Sequence, residues 1–231
     1  TRYLLERRLG PRLQYHGLRS YGEYRRFLRY DPGRRAEMEV AAEVLTTNET
    51  YFYREPQQLR AFAEEILPEL AARNAGARRL RVWSAGCSSG EEAYTIAILL
   101  ERCGLFSGWE VDVFGSDIAR RVLSLARAGT YGPNAFRTPE AEALRGWFRE
   151  EGGRWTVREE IRRLVSFGHV NLLDEGMMGL VGHADVVFCR NVMIYFDVPV
   201  RRRLLKRFHA AMREGGWLLL GHSESLLNLT A

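Results

Sequence analysis

Lysine is almost missing from this chain. Its 231 residues include 34 lysines and arginines, and Lys206 is the only lysine among them. Such a bias speaks of genome composition rather than of mechanism. Long apolar runs are missing as well. No stretch reaches the roughly 18–20 residues that span a bilayer, which argues against direct membrane insertion. No charged leader with an apolar centre and a cleavage site opens the chain, so nothing argues for export and a cytoplasmic protein is expected. Cysteine is scarce: Cys87, Cys103 and Cys189 are odd in number, far apart and without C-x-x-C spacing. That argues against a disulfide framework or a zinc site, and no metal is expected.

What is present suits a packed globular protein, with 46% hydrophobic and 27% charged residues. Net charge is +5, and positive charge gathers early, at Arg2, Arg7, Arg8, Arg12, Arg19, Arg25, Arg26 and Arg29. An acidic partner, nucleic acid or protein, is favoured. A solvated helical face explains the same run equally well.

The first part reads as helices. YLLERRLGPRL is amphipathic; SYGEYRRFLRY puts Tyr21, Tyr24 and Leu28 on one face and is stopped by Asp31-Pro32-Gly33; RRAEMEVAAEVL ends at Thr46. PQQLRAFAEEILPELAARN is a fourth helix, with Leu59, Phe62, Ile66 and Leu70 on its apolar side. The pattern then changes to strand, turn and helix. LRVWSAGCSSGEEAYTIAILLERCG is one such unit. WEVDVFGSDIARRVLSLARAG is a second, with a helix that Asp117 can cap and Gly129 can close. LVSFGHVNLL, ADVVFCRNVMIYF, a helix over PVRRRLLKRFHAAMREGG and the strand WLLLGH follow. In that last helix Val200, Leu204, Phe208 and Met212 form an apolar stripe. The alternation predicts an α/β fold around a parallel sheet covered on both faces. FREEGGRWTV, a two-glycine turn between polar segments, predicts a small hairpin insertion.

Four stretches carry chemistry. SAGCSSGEE joins a strand to a helix, and its small residues, Gly86 among them, let a ligand approach the backbone closely. Glu91 and Glu92 open that helix, where they complement its dipole but repel a pyrophosphate. A cationic adenosine cofactor, S-adenosylmethionine, fits that charge pattern; an ordinary strand–helix turn fits it as well. Asp117 follows the second strand, where an acid accepts from ribose hydroxyls in doubly wound folds. Asn171 and Leu172 follow the third strand, in reach of an adenine or simply in a turn. DVVFCRNVMIYFD runs an apolar strand into Arg190-Asn191 and then Tyr195. The arginine needs a partner, which a ligand carboxylate would supply, whereas Tyr195 is equally readable as core.

TTNETYFYRE, VWSAGCSSGEEAY, SDI, VNLL, FCRNVMIYFD and GHSES, in this order, resemble the CheR-type chemotaxis receptor glutamate methyltransferases over nearly the whole chain. The resemblance implies a small N-terminal all-helical domain and a Rossmann-like SAM-dependent methyltransferase domain. The expected bounds are 1–72, including an interdomain segment 46–56 that contacts the cofactor, and 73–231. An antiparallel β subdomain is expected at about 131–166. The implied reaction is methyl transfer from S-adenosylmethionine, leaving S-adenosylhomocysteine, to glutamate carboxylates of chemoreceptors. Cofactor contacts are implied at Asn48, Thr50, Arg54, Glu91, Glu92 (the favoured of the pair), Asp117, Asn171, Leu172, Arg190 and Asn191. Arg54 and Tyr195 match residues placed near the transferred methyl. The implied partner is the acidic cytoplasmic helical bundle of chemoreceptors, read by the arginine-rich helices, with no nucleic acid involved. A glutamate with a pKa near ~4.3 is already ionised at neutral pH and needs no general base, so His222 reads as structural. FREEGGRWTV is short beside the glycine-rich loop of relatives that tether to a receptor pentapeptide, so no such tethering is expected. The chain also starts without the family's first helix and ends at SLLNLTA, ahead of its last strand.

Overall fold

Residues 2–46, 48–179 and 181–226 are described by a computed structural model. Thr47, the last five residues of SLLNLTA and the side chain of Arg2 therefore lie outside the described residues. Three helices come first: α1 (Arg2–Tyr15), α2 (Tyr21–Tyr30) and α3 (Arg34–Leu45). Ser20 starts α2 by accepting the Glu23 amide at 3.2 Å, while the Glu23 carboxylate takes the Arg19 amide at 2.7 Å, a variant of the capping box. Asp31 ends α2, ahead of a proline that cannot continue it. Leu9, Leu13, Tyr24 and Ala41 make a small core.

Among the described residues of this small unit one charged side chain is buried, Glu37. It accepts from Arg12 Nε and Nη2 at 2.9 and 2.5 Å, from His16 Nε2 at 2.7 Å and from the Tyr24 hydroxyl at 2.6 Å. Burial alone would raise its pKa; the bonds from Arg12, Tyr24 and His16 outweigh that and hold it at about 2. Tyr21 does not share the buried face of Tyr24 and is 40% exposed. Three residues around a helix leave side chains about 60° apart, and the narrow seam admits only one of the two.

The fourth helix begins as α4 (Pro56–Ala61), passes through a π-turn (Phe62–Ile66) and ends as α5 (Leu67–Arg73). The Leu67 amide reaches back five residues to the Phe62 carbonyl. Pro68, with no N–H to give, sits one residue later, and the wider turn accommodates it. Leu59, Phe62, Ile66, Leu67 and Leu70 are all buried. They pack into the large core beneath the sheet, not into the core of α1–α3.

The rest alternates: β1 (Arg79–Ala85), α6 (Glu91–Cys103), β2 (Glu110–Asp117), α7 (Arg120–Ala128), β3 (Thr130–Tyr131), α8 (Pro139–Glu142), β4 (Phe148–Glu151), β5 (Arg154–Val157), α9 (Glu159–Arg162), β6 (Val165–His169), α10 (Glu175–Met178), β7 (Ala184–Cys189), α11 (Val198–Ala211) and β8 (Met212–Leu220). The main sheet has the order β6-β2-β1-β7-β8, and every pairing is parallel. The chain winds outward from β1 in one direction, then returns to build on β7. The reversal between β1 and β7 opens the crevice where ligands bind in such sheets. The smaller sheet, β3-β5-β4, is antiparallel. Its β4–β5 hairpin turns at Gly152 and Gly153, both at positive φ (57° and 72°), the conformation a two-residue hairpin turn demands. Phe52, from the segment before α4, is fully buried against Tyr131, Phe136 and Phe148 of this insertion. Burying one such ring is worth about 1.5–3 kcal/mol.

Two expected helix limits shift. Asp117 is the last residue of β2 and does not cap α7, which starts after Ala119. Its carboxylate takes the Ala119 amide at 2.9 Å, while Glu43 of α3 takes the Arg121 amide at 2.8 Å. A helix end left without its own cap thus receives an acceptor from another element. Met212 does not extend the stripe of α11 but begins β8, and a register shift between Ala184 and Val186 accommodates the glycines that follow. Among the described residues no helix is long and apolar enough to cross a membrane.

Candidate active site

Parallel strands end on one rim, and the expected contacts are distributed along it. Asn171 and Leu172 follow β6, Asp117 ends β2, the Gly86 loop follows β1, and Arg190-Asn191 follow β7. Strands lie about 4.8 Å apart, so Asp117 and Arg190 stand roughly 10 Å apart across the β1 loop.

The loop keeps that space narrow. Gly86 has φ 86°, and a Cβ there would run into Val192. Gly90, at φ 93°, has room for no Cβ beside Ala126. Ser88, with no such licence, still adopts φ 49°, held by its amide's 2.9 Å bond to Asp117. Burial raises the Asp117 carboxyl above its ordinary range, against the lowering effect of the Ala119 and Ser88 amides. The Ser88 hydroxyl donates to the Asn48 carbonyl at 3.4 Å. A cavity of about 490 Å³ opens beside Asn48, between α3 and α7, and Arg8, Glu43 and Arg121 also line it. Of the expected contacts it includes only Asn48.

Arg190 finds its partners inside the chain. Nη1 reaches Glu92 at 3.1 Å; Nη2 reaches Glu55 at 3.3 Å and the carbonyl of Arg54. The end of its fork, expected to meet a ligand carboxylate, is therefore filled by protein acceptors. Glu92 also accepts from Ser84 at 2.7 Å, so Arg190 balances its charge and its repulsion of an anion is muted. Glu91 is buried, with the Ser89 hydroxyl on both oxygens at 3.0 and 2.8 Å. Burial outweighs that bond and lifts its pKa to about 7. Of the pair, Glu92 is the one in contact with Arg190.

The 46–56 segment closes over this side. Arg54 lies between two residues in left-handed backbone, Tyr53 (φ 58°) and Glu55 (φ 57°). Its guanidinium folds back, Nη1 to the Glu49 carbonyl at 2.6 Å and 5.8 Å from the Tyr51 ring. Thr50 beside it is half-buried. Tyr195 ends a one-turn 3-10 helix (Met193–Tyr195) and is 56% exposed, so it is not core. Asn171 spends its side-chain oxygen on the Leu173 amide at 2.9 Å, and the Leu172 carbonyl is held by Arg207 at 2.7 Å.

Two residues inside quoted motifs had no assigned role and turn out to join them. Glu55 accepts from Asn191 Nδ2 at 3.1 Å, from His222 Nδ1 at 2.9 Å and from the His222 amide at 3.2 Å. Burial raises its pKa, and the bonds from His222, the charge of Arg190 and the bond from Asn191 pull it down to about 2. Glu224 takes the amides of Asn191, Gly221 and Ile194 at 2.8, 2.7 and 3.2 Å. It thereby stabilises Asn191 at φ 59°. Left-handed non-glycine residues cost of order 1–3 kcal/mol each and gather where surroundings over-determine them. Tyr53, Glu55, Ser88 and Asn191 all lie on this rim, and Arg78 alone of the described cases lies elsewhere.

Two buried polar atoms here lack a partner among the described residues, Arg190 Nε and Asn191 Oδ1. One donor and one acceptor, with an acid two strands away at Asp117, suit a ligand with an amino-acid end and a ribose. S-adenosylmethionine has both, and the donor set fits it.

Comparison with known proteins agrees. Residues 48–231 match the family model "CheR methyltransferase, SAM binding domain", and residues 1–46 match "CheR methyltransferase, all-alpha domain". Chemotaxis protein methyltransferase 1 of Pseudomonas aeruginosa is 38% identical over 98% of this chain and 83% of its own. Chemotaxis protein methyltransferase 2 of the same species is 39% identical over 97% and 79%. Chemotaxis protein methyltransferase 2 of Vibrio cholerae is 33% identical over 100% and 80%. With the rim geometry and both family models in agreement, the chain belongs to the CheR methyltransferase family and is a methyltransferase that uses S-adenosylmethionine.

Proposed function

We propose that this enzyme methylates glutamate side chains on the cytoplasmic helical bundle of chemoreceptors, forming methyl esters, as part of chemotactic adaptation. One observation carries the choice of acceptor: among the described residues no rim carboxylate stands free of the chain's own donors, and buried Glu91, with the Ser89 hydroxyl on both oxygens, is no exception. Glu55, Glu92, Glu224 and Asp117 are each occupied by donors. Glu55, being ionised, can only accept, so the His222 Nδ1–H donates a hydrogen bond to it, and Nε2 faces the Ser223 hydroxyl, 3.0 Å away. An alcohol or amine acceptor would need deprotonation. A glutamate, ionised above a pKa of about 4.3, would not.

S-adenosylmethionine supplies a methyl group on a sulfonium. The chain's own residues bind and orient. Asp117 takes the ribose hydroxyls, Asn48, Thr50, Asn171 and Leu172 flank the adenosine, and Gly86 admits it closely. Glu92, Arg190 and Asn191 hold the amino-acid end, with Glu91 the weaker candidate of its pair. Arg54 swings from its carbonyl partner to orient the incoming carboxylate. Tyr195 presents its exposed ring at the same rim, where an aromatic face stabilises positive charge. Orientation of this kind recovers about 7–11 kcal/mol of a barrier.

The partner is read by α1–α3, the unit with its own core, and the segment 46–56 connects it to the catalytic part. Arg7, Arg19, Arg25, Arg26 and Arg29 are exposed there, whereas Arg12 is committed to Glu37 and Arg8 to the Leu45 carbonyl. An acidic surface gains on-rate and selectivity from such a face. The two-glycine β4–β5 turn is too short to hold a tethering peptide, so methylation proceeds without one.

The test is methyl transfer from labelled cofactor to receptor cytoplasmic fragments, followed by mapping of the label. Base-labile label on glutamate is expected. Base-stable label, or label appearing on RNA and not on receptor, overturns the reading. Measurable binding of a receptor C-terminal pentapeptide overturns its last part.

A further inference from the structure

We propose that Glu55 is a positioning residue that fixes which way the Asn191 carboxamide faces, and so turns an acceptor toward the ammonium of the bound cofactor. This rests on the proposal that the amino-acid end lies at Arg190 and Asn191.

The argument follows from which groups can donate. An ionised carboxylate accepts only. Asn191 meets Glu55 at 3.1 Å, so its NH₂ must be the group facing Glu55. Its Oδ1 is then forced to the opposite side, where it is buried and unpartnered. Among the described residues no other side-chain bond dictates that orientation, and by shape alone an amide rotated by half a turn fills the same space. The same glutamate helps to orient Arg190. With Nη1 committed to Glu92 and Nη2 to Glu55 and the Arg54 carbonyl, Nε is the nitrogen left over. Two consecutive residues thus offer one unspent donor and one unspent acceptor, the complement of a carboxylate and an ammonium on one carbon. His222 acts through Glu55. Its two bonds, 2.9 and 3.2 Å, hold the carboxylate from the opposite side.

A merely structural glutamate would support the whole pocket. A positioning one affects only ligands with an amino-acid end. Calorimetry with S-adenosylhomocysteine, which has that end, and 5′-methylthioadenosine, which lacks it, separates the two. Glu55→Gln removes the compulsion on Asn191, since glutamine can donate as well as accept. It is expected to weaken S-adenosylhomocysteine roughly tenfold, the loss of one bond to a charged group, and 5′-methylthioadenosine less than about twofold. Glu55→Asp keeps an acceptor-only group and should restore part of the difference. Asn191→Ala should show the same selectivity, and the double variant should lose little more than either single one.

Equal weakening of both ligands by Glu55→Gln overturns the proposal, as does unchanged affinity for S-adenosylhomocysteine. If that variant does not fold, Asn191→Ala still decides, because equal loss of both ligands there overturns it. A wild-type chain that binds neither ligand would remove the cofactor placement, and this proposal with it.

Discussion

Glu37, buried, and Glu55, partly buried, are two glutamates with nearly the same company. Each accepts from an arginine, a histidine and one neutral donor, and each is held at about pKa 2. Their surroundings differ. Around Glu37 the partners sit on regular helices or directly at their ends, Arg12 in α1, His16 one residue past it and Tyr24 in α2, and their polar atoms are satisfied. Around Glu55 the backbone is left-handed on both sides of the contact, and two buried atoms of its partners lack a bond. The first cluster is closed and serves to join helices. The second is open, and what it lacks has the shape of a ligand. A buried ion pair alone therefore identifies no site; its unmet valences do.

That contrast can be broken by experiment. The largest effect is expected on the open side, where Arg54→Ala should lower turnover more than about a hundredfold with cofactor affinity much less affected. Wild-type single-turnover rates would remove Arg54 from the reaction. On the closed side, Glu37→Ala should cost about 3 kcal/mol of stability, the lower end for breaking a buried pair. Its affinity for S-adenosylhomocysteine should hold, and a matching loss of affinity would erase the distinction. Asp117→Ala should weaken cofactor binding by roughly 1.5–3 kcal/mol, read by calorimetry. A smaller effect is shared. Both glutamates have folded pKa values near 2 against an ordinary 4.5, so the stability they give is present above pH 4.5 and lost as pH falls towards 2. Glu37→Gln and Glu55→Gln should each flatten that acid limb in denaturant titrations, by about 1 kcal/mol once solvent-reaching donors are discounted. Smallest of all, reversing Arg25 and Arg26 to glutamate should slow receptor methylation several-fold by lowering on-rate, with cofactor affinity unchanged.

Much of the fold was legible because it follows local rules. Asp31-Pro32-Gly33 ends a helix, Gly152-Gly153 turns a hairpin, and the apolar run Val186–Cys189 lies in a central strand buried on both faces. Asp117 was misread as a cap because an acid before a helix usually is one; here the amide was served from α3, a contact 78 residues distant in sequence. Met212 fitted a four-residue spacing, which cannot tell the last turn of a helix from the first residue of the strand beyond it. Of the site, the segments were legible and their connections were not. Glu55 and Asn191 meet across 136 positions, and Glu224 and Asn191 across 33. A carboxylate's partners leave no trace in its neighbours' identity. The burial of Arg190 was anticipated, but that its partners would be the chain's own glutamates was not.

The π-turn at Phe62–Ile66 has a further consequence. The widened turn takes up one surplus residue, so everything after it stands about 100° back from where an uninterrupted helix would carry it. That offset brings Leu67, which an uninterrupted helix would carry to the edge of the buried face, in line with Leu59 and Phe62 ahead of it. Remove one residue from the turn and the surplus is gone: the turn can tighten to an ordinary one while Leu67 and Leu70 keep the face of Leu59 and Phe62, whereas straightening it at full length would swing both by about 100°.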